Sequence, residues 1–251
     1  MITVEHVSFA FPDGPPVLRD VSLRVRDHDR IVLLGTNGSG KSTLLKILNG
    51  LLYPTEGTYR YRDQVITAHT LRDAAFARRF RRQVVYLFQS PDAMLFNPTV
   101  GDEIAFGVRQ LGLADIDDRV HGWAERLGIE HLLSRPPFHL SGGEKQKVCL
   151  AALLSLEPSV LLLDEPTAQL DPRSTGWLVD FLGDLEVTTI VSTHNLSLAA
   201  ELGERTWILS EDHRLIFDGE LGEALKDRDL LLQANLMHAH RHRHYHIHDW
   251  D

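Results

Sequence analysis

The chain has 251 residues, 43% of them hydrophobic, with 26 basic against 35 acidic side chains and a formal charge of −9. That length and apolar content bury one sizeable core, which excludes disorder as the default and leaves room for one globular domain with an inserted subdomain. The acidic balance argues against a nucleic-acid partner, whose binding draws on lysine and arginine.

At the N-terminus, Val4, Val7, Phe9 and Phe11 alternate, the turn-rich stretch Pro12 to Pro16 follows, and alternation resumes at Val21, Leu23 and Val25, predicting an antiparallel β element. The start MITVEHVSFAF lacks a basic stretch followed by a long apolar one, and Cys149 as sole cysteine permits no internal disulfide; both predict the cytoplasm. Ile31 to Leu34 is a continuous apolar run ending at glycine, as a buried parallel strand does, and Leu44, Leu45, Ile47 and Leu48 follow at helical spacing. Val84 to Phe88, Val160 to Leu163 and Thr189 to Ser192 read as further buried strands between helical stretches, so the expected fold is an α/β core with a mainly parallel sheet. Residues 99 to 155, with Pro-Pro and Ser-Gly-Gly breaks, read as a helical insertion. The whole domain is expected over 1–236, with a histidine-rich tail over 237–251, and no internal repeat is visible. No apolar run approaches the roughly 20 residues needed to span a bilayer. Membrane contact is therefore expected to be borrowed from partners.

Gly35 to Thr43 reads GTNGSGKST, which satisfies G-x-x-x-x-G-K-[ST] between a strand and a helix. Gly35, Gly38 and Gly40 let the backbone curl so that the amides of this loop, including Asn37 and Ser39, converge on phosphate oxygens at a helix start. Lys41 reaches toward the β and γ phosphates, and Ser42, beside Thr43, offers a hydroxyl to Mg²⁺. The bland alternative is a glycine-rich turn with a chance lysine.

Asp164 and Glu165 stand together at the exit of an apolar strand. Asp164 suits a Mg²⁺ shell, and Glu165 suits orienting or deprotonating a water, unless the pair merely caps a turn. His194 follows Thr189 to Thr193 and Gln89 follows Val84 to Phe88, so every one of these groups leaves the carboxyl end of a strand, where open α/β sheets place ligands. Gln89 is expected to touch both the metal shell and the water.

Leu140 to Gln146 reads LSGGEKQ. Together with the phosphate loop, the acid pair, Gln89 and His194, this order and spacing resembles the ATP-binding cassette family across nearly the whole domain. The resemblance implies a P-loop ATPase fold that hydrolyses ATP with Mg²⁺. It also implies that Ser141, Gly142 and Gly143 complete the ATP site of a second, identical or homologous subunit. It further implies that Phe11 stacks on adenine, for which core packing is the alternative, and that Ala168 to Asp171 crosses the subunit interface, although Ala168 stands where the family more often has serine. Thr36 replaces a frequent proline, and Glu144, replacing a frequent glutamine, adds negative charge near the γ-phosphate.

QSPDAMLF at 89–96 and EIAFG at 103–107 look like the ATPase subunits of energy-coupling-factor importers, whose corresponding surface docks a membrane scaffold protein. For Met94, Leu95 and Phe96 the alternative is core packing. The tail places His238, His240, His242, His244, His246 and His248 at every second position. An extended chain would set them about 6 to 7 Å apart on one face, too far for rigid chelation, so a reconfigurable binder of nickel, cobalt, zinc or copper is expected, with a tag or a solvated tail as the alternative. Tail and resemblance together point to a peripheral ATPase at the cytoplasmic face of a membrane, working with scaffold and substrate-binding membrane proteins to import nickel or cobalt. The rival readings are uptake of a vitamin or other small nutrient, a soluble non-transport ATPase of the same family, and a metal-storage protein with a vestigial site.

Overall fold

The computed structural model describes residues 1–237; the six tail histidines lie outside the described residues. In chain order the elements are β1 (Ile2–Ala10), β2 (Pro16–Val25), β3 (Arg30–Leu34), α1 (Lys41–Leu48), β4 (Glu56–Tyr61), β5 (Gln64–Val65), α2 (Ala74–Gln83), β6 (Val84–Leu87), α3 (Val100–Gln110), α4 (Ile116–Arg126) and α5 (Gly142–Leu154). They continue with β7 (Val160–Asp164), α6 (Pro172–Gly183), β8 (Thr188–Thr193), α7 (Leu196–Leu202), β9 (Arg205–Leu209), β10 (Leu215–Glu220), α8 (Leu221–Ala224) and α9 (Arg228–Gln233).

Two sheets form. One has the order β10-β9-β3-β8-β7-β6, parallel except for β10, and the other has the order β2-β1-β4-β5 and is antiparallel. The apolar strands of the larger sheet are continuous because both faces are covered. Ile31 and Leu33 of β3 join a core with α1 and the antiparallel sheet, while Val32 and Leu34 join the core under α3, α5 and α6. Strands β6 and β7 divide in the same way, with Val84 and Val160 on one side and Val85 and Leu161 on the other.

The expected α/β core, N-terminal antiparallel element and helical insertion are all present, the insertion as α3, α4 and α5. Strands β4 and β5 were not anticipated. They complete the antiparallel sheet by pairing Ile2 with Tyr61 and Val4 with Tyr59, far apart in sequence. The signal was available in Thr58 to Tyr61, where buried Tyr59 and Tyr61 flank exposed Arg60.

The register of the larger sheet sets Leu34 beside Thr193, Leu87 beside Leu163, and Asp164 beside Ser192. Strands β3, β6, β7 and β8 thus end along one edge, and the loop at 35–43, Gln89, Asp164, Glu165 and His194 leave from it.

Candidate functional site

The loop after β3 winds tightly because Gly40, immediately before α1, adopts φ 108° and presses against the start of β2. A Cβ there would lie 2.6 Å from the Val17 carbonyl oxygen and 2.8 Å from the Leu18 side chain. The first turn of α1 carries no acidic residue, so its free amides face no competing carboxylate of their own helix. Lys41 is only 6% exposed. Its ammonium donates to the carbonyls of Gly35 at 2.8 Å and Thr36 at 3.1 Å, and lies 3.4 Å from Glu165 Oε1. Ser42 and Thr43 follow it, half-buried, at the top of the helix.

Asp164 ends β7 and is 3% exposed. Two hydroxyls hold it: Tyr86 donates to Oδ2 and Ser192 donates to Oδ1, each at 2.7 Å. Burial and the adjoining Asp164 carboxylate push the Tyr86 phenol far above its ordinary value, so it stays a donor. Ser192 Oγ in turn accepts the Glu165 amide at 2.9 Å. That contact, with a second from the same amide to the Ser192 carbonyl oxygen at 3.2 Å, holds Glu165 in the left-handed region at φ 46°. The Glu165 carboxylate consequently sits between the buried Lys41 ammonium and His194, whose Nδ1 is 3.0 and 3.1 Å from its two oxygens. The His194 side chain is 55% exposed.

Lys41, Asp164, Glu165 and His194 are thus brought together as the sequence predicts. Gln89 is exposed on the same edge and makes no hydrogen bond among the described residues. Sequence reasoning missed Tyr86 and Ser192, which orient the carboxylates. Their signal was a polar side chain inside each apolar run, VVYL and TTIVST. A buried carboxylate pair of which one member has two fixed hydroxyl donors, beside a glycine-wound loop and a lysine, suits an anion with its counter-cation. The half-exposed imidazole of His194 lies between the buried Glu165 carboxylate and solvent.

Ser141 to Gly143 occupy a different place. Ser141 caps α5, and Glu144 accepts both its amide at 2.8 Å and its hydroxyl at 2.7 Å, a reciprocal capping box. The charge of Glu144 is therefore taken up inside its own turn, which pulls its carboxyl below the ordinary value. A Cβ on Gly143 would meet Ser174 Oγ at 2.8 Å, and that hydroxyl donates to Asp171, the N-cap of α6. Among the described residues no hydrogen bond joins Ser141 to the loop at 35–43.

The segment after Gln89 is pinned from two sides. Asp92 pairs with Lys145 of α5 at 2.6 Å, and the buried Glu103 carboxylate accepts the amides of Phe96 and Asn97, both at 2.8 Å. Two expectations for this segment divide. Met94 and Leu95 pack against the core, whereas Phe96 is 65% exposed with its ring edge-on to exposed Phe106 at 4.9 Å. Phe11 also lies at the surface, edge-on to Phe9 at 4.9 Å, so the core alternative for it does not hold.

Residues 18–168 match the family model described as ABC transporter. A relative from Methanosarcina acetivorans, named as an ABC transporter ATP-binding protein without a stated cargo, is 42% identical over 94% of this chain and 88% of its own length. An energy-coupling factor transporter ATP-binding protein of Methanospirillum hungatei is 36% identical over 94% of this chain, which spans 59% of that protein. Among solved structures, cbiO1 from Clostridium perfringens, part of the ABC transporter complex cbiONQ, superimposes with a TM-score of 0.79 at 31% identity, covering 94% of each chain.

Proposed function

This chain belongs to the ABC transporter family as an ATP-binding protein whose ATP hydrolysis is coupled to transport, and from that premise we propose that it energises an energy-coupling-factor-type importer for nickel or cobalt ions. The observation that carries the catalytic part is the meeting of Lys41, Glu165 and His194 at the carboxyl ends of β3, β7 and β8. In this reading Gly35, Asn37, Gly38, Ser39, Gly40, Lys41 and Thr43 bind the triphosphate of ATP, and Phe11 stacks on adenine. Ser42, Gln89 and Asp164 would hold Mg²⁺, which neutralises charge on the transferred phosphoryl group. Their fit to that ion rests on the Asp164 carboxylate, fixed by Tyr86 and Ser192.

Lys41 now pairs with Glu165, so a phosphate gripped by the ammonium would free that carboxylate to take a proton from water. His194 holds the carboxylate in line, and the base role is worth about 10²- to 10⁴-fold in rate. Because Ser141 to Gly143 stand apart from Lys41, they serve the site of a second cassette, self or homologue, in a sandwich of two.

The importer class is supported by the likeness to the energy-coupling factor protein of Methanospirillum hungatei and to cbiO1. The exposed Phe96, its amide held by Glu103, and the exposed Phe106 would form the surface for a membrane scaffold protein, with the chain peripheral at the cytoplasmic face. Among the described residues no helix is long and apolar enough to cross a membrane, and no group of three or more His, Cys, Asp or Glu could hold a metal ion. The metal assignment therefore rests on the histidines at 238–248 and on the likeness to cbiO1. Uptake of radiolabelled nickel and cobalt by cells with and without the intact transporter tests it. Accumulation that depends on the transporter is expected, and unchanged uptake of both ions would leave a vitamin or other small nutrient as cargo.

A further inference from the structure

Residues 60–82 contain seven arginines, no lysine and two aspartates, a charge of +5 within a chain of −9. The structure gathers much of that charge on one surface. Arg62 lies over Tyr61 at 5.5 Å and Arg79 over Phe76 at 5.6 Å, and both rings pack on Phe80, at 5.5 and 6.2 Å. Arg62, just after β4, and Arg79 of α2 thereby flank a single aromatic ladder. Gly50 rests against Phe80 and Leu71, which brings the neighbouring Leu51, 52% exposed, beside the same ladder. Arg82 is occupied by Glu157 at 2.8 Å, and Asp73 by its role as N-cap of α2. Arg72, Arg78, Arg79 and Arg81 are exposed, and none has an ion pair among the described residues. Beside them lies a cleft of about 450 Å³, with Arg78 and Arg79 on one wall and Leu111 and Leu113 on the other.

We propose that the exposed face of α2, with Arg78, Arg79 and Arg81, and Arg72 just before the helix, contacts anionic phospholipid headgroups directly. Arginine forks take phosphate oxygens two at a time, which suits a surface of phosphate headgroups. The rest of the chain is acidic and is repelled by an anionic surface, so attraction is confined to this face and holds it in one orientation. Helix α2 also leads directly into β6, whose exit carries Gln89 and the loop with Phe96. To this extent the inference rests on the proposed docking of a membrane partner there. It adds a contact that the chain makes with the membrane itself, contrary to the expectation that all such contact is borrowed.

The test is flotation of the full chain at pH 8 with vesicles of phosphatidylcholine alone or mixed with phosphatidylglycerol. Binding to the anionic vesicles only, released by high salt, is expected. The R78Q/R79Q/R81Q variant should lose affinity on the order of a hundredfold, and the triple lysine replacement should keep most of it. ATPase activity of the detergent-solubilised transporter should be equal in all three proteins, which separates loss of lipid contact from failure of the transport reading. Three results would overturn the proposal: equal binding to both vesicle types, no binding to either, or a glutamine variant that binds as the parent does. If that variant instead lost its membrane partners on co-purification while binding vesicles normally, the patch would belong to an acidic protein surface.

Discussion

Replacing Ser192 by alanine strikes the group that ties the two carboxylates together. Ser192 is fully buried, donates to Asp164 at 2.7 Å and accepts the Glu165 amide at 2.9 Å. A hydrogen bond to a charged group contributes about 1.5–3 kcal/mol, and the amide keeps a partner in the Ser192 carbonyl oxygen, so S192A should cost about 2 kcal/mol. Tyr86→Phe removes the other donor to Asp164 and should cost a similar amount, about 2 kcal/mol. Together they leave a buried carboxylate without a side-chain donor, and the double variant should exceed the sum of the singles by about 1 kcal/mol. Urea unfolding of the four proteins with metal chelated reads these costs directly, through midpoint shifts at constant slope. Magnesium-dependent ATPase should fall in both single variants, with a rise in the magnesium concentration needed for half activity. Singles each below about 0.5 kcal/mol, or strictly additive losses, would refute the idea that these hydroxyls jointly hold Asp164.

Three further outcomes follow from the same geometry. Glu165→Gln should leave ATP binding, measured by equilibrium titration, within a few-fold of the parent while turnover falls about 10²- to 10⁴-fold; hydrolysis at the parental rate would remove Glu165 as base. The Ser141 hydroxyl and amide hold the Glu144 carboxyl below its ordinary 4.5, so its capping contribution is present above pH 4.5 and is lost as pH falls through the lowered folded value. The stability difference between the parent and Glu144→Gln, followed by urea unfolding across pH, should therefore be full at neutrality and vanish in acid. Burial, reinforced by Glu103 and Asp92, pushes the Cys149 thiol up to about 12, so the native chain should be inert to a thiol-reactive disulfide at pH 8 and react only on unfolding.

Much of this molecule was legible in one dimension. GTNGSGKST, the acid pair, His194 and the Ser-Gly-Gly turn are recognisable as short local strings, and the apolar runs announce strands covered on both faces. The site's supporting groups were not legible in this way. Tyr86 and Ser192 lie on strands that reach Asp164 only because β6 and β8 flank β7, and β4 finds β1 only across a long stretch of chain. Arg62 and Arg79 read as scattered surface charges until Phe80 gathers their aromatic partners.

Sequence by itself determined which apolar runs become the buried central strands and which loop can wrap a phosphate, because steric and periodic constraints act between near neighbours. Only the tertiary structure decided which hydroxyl faces which carboxylate, that Glu144 turns back onto Ser141, and that a basic face forms on an acidic chain. Those outcomes depend on strand order and packing between distant segments, where each burial requires a partner supplied from elsewhere in the chain.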